Sequence, residues 1–131
     1  MSEVTVRVLP KPREDLRTID NAHYESGIEL DIVFEGLVCG RCPETGQLDS
    51  GTLRVAYVPN TAIAECYSLR RFVIDMGQRT TYQENFVHDL YFALDEALLP
   101  QKLLVCFSSK RRWDTERECN PVTYTITRKS H

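Results

Sequence analysis

Cys42-Pro43-Glu44-Thr45-Gly46-Gln47-Leu48-Asp49 is the stretch on which the reading of this chain turns. Pro43 fixes its own φ and Gly46 accepts a positive one, so the segment is built to reverse the chain. Before it, Ile28, Leu30, Ile32 and Phe34 alternate with Glu29, Asp31 and Val33; after it, Leu53, Val55 and Tyr57 repeat the period and stop at Pro59-Asn60. Period-two alternation marks half-buried strands, and a short reversal between two of them makes the pair antiparallel. The same fold-back brings the Asp49 carboxylate near the Cys42 thiol. A cysteine with an acid/base beside it is how covalent attack on an electrophilic carbon begins. Spacing by itself is met as well by an ordinary loop with a buried, inert cysteine and an Asp that caps a turn, and that is the commoner case.

Outward from this hairpin the period changes. From about Ala62 to Met76, the apolar residues Leu69, Phe72, Val73 and Met76 fall at helical spacing, with Gly77 as a stop. A second helix follows. Thr80 or Thr81 caps it, Glu84 lies in its first turn, Phe86, Val87, Leu90, Leu94 and Leu98 form its apolar stripe, and Pro100 ends it. Strands then return at Leu103–Ser108 and Val122–Thr127. The order ββααββ predicts an α+β fold, an antiparallel sheet with two helices on one face. Such a sheet has edges with unpaired backbone groups, which self-association into a closed barrel removes, so a homo-oligomer with a site between subunits is expected. Residues 10–26, with Pro10, Pro12 and many charges, read as a loop-rich lead-in after a short strand at Val4–Val8.

With 131 residues the chain is read as a single domain, 1–131, with a lead-in at 1–26 and a core at 27–127. A formal charge of −3 disfavours a general nucleic-acid binder, which needs excess Lys and Arg to displace phosphate counterions. The local cluster Lys110-Arg111-Arg112-Trp113 is read as a solvated loop or a contact for a phosphate-bearing ligand. Apolar runs are too short for a membrane span, and Met1-Ser2-Glu3 does not open a secretory signal, so a cytoplasmic protein is expected. Five cysteines then imply reduced thiols. Cys39-Gly40-Arg41-Cys42 is a CxxC, but no second one exists and His23, His88, Cys66, Cys106 and Cys119 lack finger spacing; no metal site is expected. The histidines read as surface or satisfied residues.

Taken together, these residues resemble the tunnelling-fold (T-fold) enzymes, and within them the NADPH-dependent 7-cyano-7-deazaguanine reductase (QueF) family. The resemblance spans about residues 27–127. Its most specific part is Cys42 to Asp49, which is similar to the family's Cys-Pro-x-Thr-Gly-Gln-x-Asp. Tyr57-Val58-Pro59 matches a Tyr-x-Pro, Glu65 opens the place of Glu-Ser-Lys-Ser-Leu-Lys, and Glu84 falls where the family anchors substrate. The resemblance implies that Cys42 adds to the nitrile carbon of a deazapurine to give a thioimide, while Asp49 moves the proton. It implies substrate contacts at Glu84, Gln83 and Glu65, and NADPH held by Ser68, Arg70 and Arg111. Departures fall on the cofactor side. Tyr67 and Arg70 replace the two lysines, Gln83 replaces a histidine, and the late Arg-Gly-Gly is missing. Three functions follow: reduction to 7-aminomethyl-7-deazaguanine as in queuosine synthesis, amidine formation from the same thioimide and ammonia as in archaeosine synthesis, and a deazapurine-binding protein without catalysis.

Overall fold

The computed structural model describes residues 16–41, 48–78, 82–110, 112–114, 117–119 and 122–128, and for 41, 48, 49, 112–114 and 117–119 the description covers the backbone. The alternation that begins before the hairpin continues beyond Phe34, through Gly36 and Val38. The resulting strand runs Ile32–Arg41, later than the expected start at Ile28. The reason lies upstream: Gly27 sits at φ 79°, the Ser26 amide and hydroxyl both donate to the His23 carbonyl, and Ile28 is exposed after this turn. The strand after the hairpin, Leu48–Val58, pairs antiparallel with it in the expected manner, from Ile32 opposite Tyr57 to Arg41 opposite Leu48.

Numbered in chain order, the strands are β1 (Thr18–Asp20), β2 (Ile32–Arg41), β3 (Leu48–Val58), β4 (Ala62–Ala64), β5 (Lys102–Ser109), β6 (Arg112–Asp114), β7 (Arg117–Cys119) and β8 (Thr123–Thr127); the helices are α1 (Cys66–Gly77) and α2 (Gln83–Leu98). The main sheet has the order β2-β3-β5-β8, antiparallel throughout. Two small ladders were not expected. β1, inside the stretch read as loop-rich, pairs with β4, and that pairing takes Ala62–Ala64 out of the expected first helix. The β6–β7 ladder occupies part of the region read as a loop around Lys110–Trp113. The expected strand at Val4–Val8 lies outside the described residues.

Both helices cover one face of the sheet, as the alternation required. Leu53, Val55 and Tyr57 of β3 and Leu103, Val105 and Phe107 of β5 are buried against Phe72, Val73, Val87, Leu90 and Leu94, while Thr52, Arg54 and Lys102 face outward. Helix α2 has Tyr82 as its N-cap, without a side-chain cap bond, in place of the expected Thr80 or Thr81, which lie outside the described residues. Its stripe explains why it forms regardless: each buried Leu, Val or Phe stabilises by about 1.5–3 kcal/mol, against about 1 for a cap. The helix ends at Leu99, in the left-handed region at φ 46°, ahead of Pro100. Gly77 is not the stop outside α1 but its last residue. Its role is space, because a Cβ there would collide with Val38 Cγ1 on β2.

Candidate active site

The β2–β3 ladder ends with Gly40 opposite Asp49 and Arg41 opposite Leu48. Cys42 and the other residues of the reversal, 42–47, lie outside the described residues; the strands that bound them place the two ends of the segment side by side. At the same end of the sheet, Gly51 and Thr52 of β3 pair with Ser109 and Ser108 of β5, and Ser108 pairs with Thr123 at the start of β8. The Lys110 amide donates to the Ser50 carbonyl at 2.8 Å, tying the chain after β5 back to β3.

Helix α2 begins above this end. Gln83, its first residue, is half-buried, and Glu84, the second, is exposed. The Glu84 carboxylate does not turn back to its own helix. It accepts a hydrogen bond from the hydroxyl of Tyr124 on β8, at 2.9 Å across 40 residues of sequence. Phe86, two residues on, meets Phe107 of β5 edge to face, with ring centroids 5.6 Å apart, and Phe107 is the cross-strand partner of Tyr124. Phe107 in turn lies over Gly51, where a Cβ would sit 2.6 Å from its ring and collide with the Ser108 carbonyl.

The residues expected to follow the hairpin in the site, Glu65, Ser68 and Arg70, gather elsewhere. Glu65 is the N-cap of α1: its carboxylate accepts from the Tyr67 and Ser68 amides at 2.5 and 3.2 Å and pairs with Arg17 at 2.7 Å. The Tyr67 amide above all holds this carboxyl below its ordinary pKa, outweighing the opposing desolvation with further help from the Ser68 amide and Arg17. The Ser68 hydroxyl is buried, accepts from the Arg17 amide at 2.9 Å and donates to the Glu65 carbonyl at 3.0 Å. Arg70 is exposed and makes no ion pair among the described residues. Arg71 lies over the exposed Tyr67 ring at 5.7 Å, and Arg111 lies outside the described residues.

The two groups stand at opposite ends of the fold. The start of α1 is fixed near Tyr57, whose hydroxyl accepts from the Ala64 amide at 3.1 Å, whereas its end, Gly77, is against Val38, near the hairpin. The helix has 12 residues, so about 18 Å separates its ends at 1.5 Å per residue. A trough of about 650 Å³, lined by Arg54, Ala56, Tyr57, Lys102, Leu104 and Arg128 among others, opens near the β3 end remote from the hairpin, and its lining includes none of Glu65, Ser68, Arg70, Glu84 and Tyr124. The His88 and Phe92 rings lie 4.6 Å apart, tilted at 52°, one turn along α2 from Glu84. Among the described residues no cluster of three or more His, Cys, Asp or Glu could hold a metal, and no helix is long and apolar enough to cross a membrane.

Tyr124, Arg17 and Phe107 were not singled out from sequence. Phe107 and Tyr124 were legible only as members of the last two expected strands, and Arg17 sits in the stretch read as lead-in.

No family model matches the chain. Among curated proteins it is similar to the NADPH-dependent 7-cyano-7-deazaguanine reductase of Thermomicrobium roseum, 30% identical over 95 residues that cover 72% of this chain and 73% of the relative. The enzyme of the same description from Chlorobaculum tepidum is 26% identical over 115 residues, 88% of this chain and 92% of the relative. Among solved structures, the archaeosine synthase QueF-Like in the apo form superposes with a TM-score of 0.59 at 20% identity, over 72% of this chain and 91% of that one, and so shares the fold.

Proposed function

Because the chain belongs to the NADPH-dependent 7-cyano-7-deazaguanine reductase family, we propose that it reduces the nitrile of 7-cyano-7-deazaguanine to 7-aminomethyl-7-deazaguanine through a covalent adduct on Cys42. The observation that carries this reading is the β2–β3 register, in which Arg41, the residue before Cys42 in sequence, pairs with Leu48, and Gly40 pairs with Asp49. Asp49 takes the thiol proton. The thiolate adds to the nitrile carbon, one π pair of the C≡N bond moves to nitrogen, and Asp49 returns the proton there, giving a neutral thioimide. Glu84, an acceptor with two oxygens, receives the ring N–H and the exocyclic NH2 of the guanine-like edge.

NADPH, the cofactor named for the relatives, supplies hydride when bound. Donors suited to its phosphates are present on α1: Arg70 is exposed and Arg71 presents a second guanidinium beside it. Ser68 supports them by fixing the start of the helix, Gln83 flanks the base beside Glu84, and Arg111 is the remaining candidate for a phosphate.

The separation of Glu65 and Arg70 from Glu84 by the length of α1 supports a site shared between chains. So does the sheet, in which no described strand covers the outer edge of β2 or of β8. A closed barrel of copies pairs those edges, and such closure is the arrangement proposed for completing the site from two chains. We take residues 1–131 as one such domain, its core at 27–127.

The test is intact-protein mass measurement after mixing with 7-cyano-7-deazaguanine. An adduct is expected in the parent and absent in Cys42→Ala; no adduct in the parent supports a binding protein without catalysis. NADPH added to the preformed adduct is expected to release the amine. The exposed Tyr67 ring, engaged by Arg71 where the family has a lysine, favours the second reading, amidine formation, and an amidine released by ammonium without NADPH would establish it in place of the first.

A further inference from the structure

We propose that Tyr124 is a positioning residue for base recognition: it fixes the plane of the Glu84 carboxylate and so sets selectivity for a ring that offers two adjacent N–H donors. This deepens the function proposed above and rests on Glu84 reading the base. The geometry is a closed circuit of four side chains. Glu84 and Phe86 stand two residues apart at the start of α2; Phe86 abuts Phe107; Phe107 pairs across the ladder with Tyr124; and the Tyr124 hydroxyl donates to Glu84 Oε1 at 2.9 Å. Three of the four are buried or half-buried. The fourth, Glu84, is an exposed residue in a helix first turn, where a glutamate ordinarily samples several rotamers.

A carboxylate that receives two parallel N–H bonds has to present both oxygens in one plane toward the base. Each oxygen carries two acceptor sites, so the bond from Tyr124 occupies one site on Oε1 and leaves the second site on Oε1 and both on Oε2 for the ligand. What Tyr124 removes is the freedom of the carboxylate to rotate, which would otherwise be lost at binding. A base with two donors gains most from that restraint. One with a single donor gains little, because one bond forms in many carboxylate orientations.

The experiment measures adduct formation on the full chain against concentration, with 7-cyano-7-deazaguanine and with its analogue lacking the exocyclic amine. Both carry the same nitrile, so the chemistry at Cys42 is held constant. In Tyr124→Phe the half-saturating concentration of the two-donor base is expected to rise about 5- to 10-fold, with the maximal rate unchanged and the analogue affected less than about twofold. The double variant Tyr124→Phe/Glu84→Gln is expected to bind no more weakly than Glu84→Gln alone. An unchanged half-saturation, an equal rise for both bases, or additive losses in the double variant would each overturn the proposal. A general packing role for the ring would produce the equal rise, together with a lowered melting midpoint. A parent protein that takes up no base at all would remove the proposed function and this inference with it, an outcome the parent alone decides.

Discussion

Helix α1 starts at a carboxylate that its own backbone and Arg17 have already engaged, whereas α2 starts beside a carboxylate turned away from its helix toward a strand. Glu65 receives two amide donors and a guanidinium within its first turn and its near surroundings. Glu84, a residue of the same type, receives one hydroxyl from β8 and keeps its remaining acceptor sites exposed. The difference is between a carboxylate whose acceptor positions the fold has filled and one that keeps most of them open. Residue type is the same in both places; what separates them is how many of the acceptor positions the fold itself fills.

Substitution at the two glutamates is the most direct way to break that contrast. Glu84→Gln is expected to weaken binding of 7-cyano-7-deazaguanine about 10- to 100-fold, the worth of hydrogen bonds to a charged acceptor, with the melting midpoint unmoved. Titration of the base against both proteins checks it, and equal affinities would make the start of α2 as structural as that of α1. Gly51→Ala sharpens the contrast from beneath. The added methyl meets the Phe107 ring and the Ser108 carbonyl, and it is expected to cost about 1–3 kcal/mol in urea unfolding, as over-packed sites do. The same substitution should weaken base binding through Phe107 and Tyr124 while leaving the α1 corner intact.

Glu65→Gln is expected to show the smallest effect and the opposite pattern, with base affinity retained and the melting midpoint lowered by a few degrees at neutral pH. Its sign with pH follows from the lowered pKa. A carboxyl held lower in the folded chain than in the unfolded one contributes stability that is complete above the ordinary carboxylate range and is lost as pH falls through the folded value. The gap between parent and variant should therefore close on acidification; a gap that persists in acid would mean that packing, and not the charge, holds the cap.

What could be read from the chain depended on whether the cause was local. The phase of β2 and β3 and the stripe of α2 were legible because burial on one face imposes a period on neighbouring residues. The start of β2 was not, since the turn before it depends on Gly27 and the hydrogen bonds to His23. β1 and β4 are three residues each and exist by virtue of each other, so neither stretch carries a signal alone. Glu65 was read as a substrate contact from its place in the family resemblance, and the fold gives it the N-cap of α1, a position at which glutamate is not among the common residues. Glu84 was placed by its resemblance to a family motif, but its partner Tyr124 lies 40 residues away and only the folded sheet brings the two together. The finer site, Cys42 with Asp49, rests on sequence and on the backbone register at its margins.

Gly51 has no reactive atom, and a survey of the chain by chemical type would pass over it. Yet the room left by its missing side chain is where Phe107 lies, and Phe107 joins both sides of the Glu84 corner. As lineages diverge, a carboxylate or hydroxyl can be exchanged for another donor or acceptor that does similar work, but no other amino acid is smaller than glycine. Any larger side chain at position 51 has to displace the Phe107 ring or the Ser108 carbonyl, so an inert residue sets the geometry of the corner as firmly as the polar groups in it.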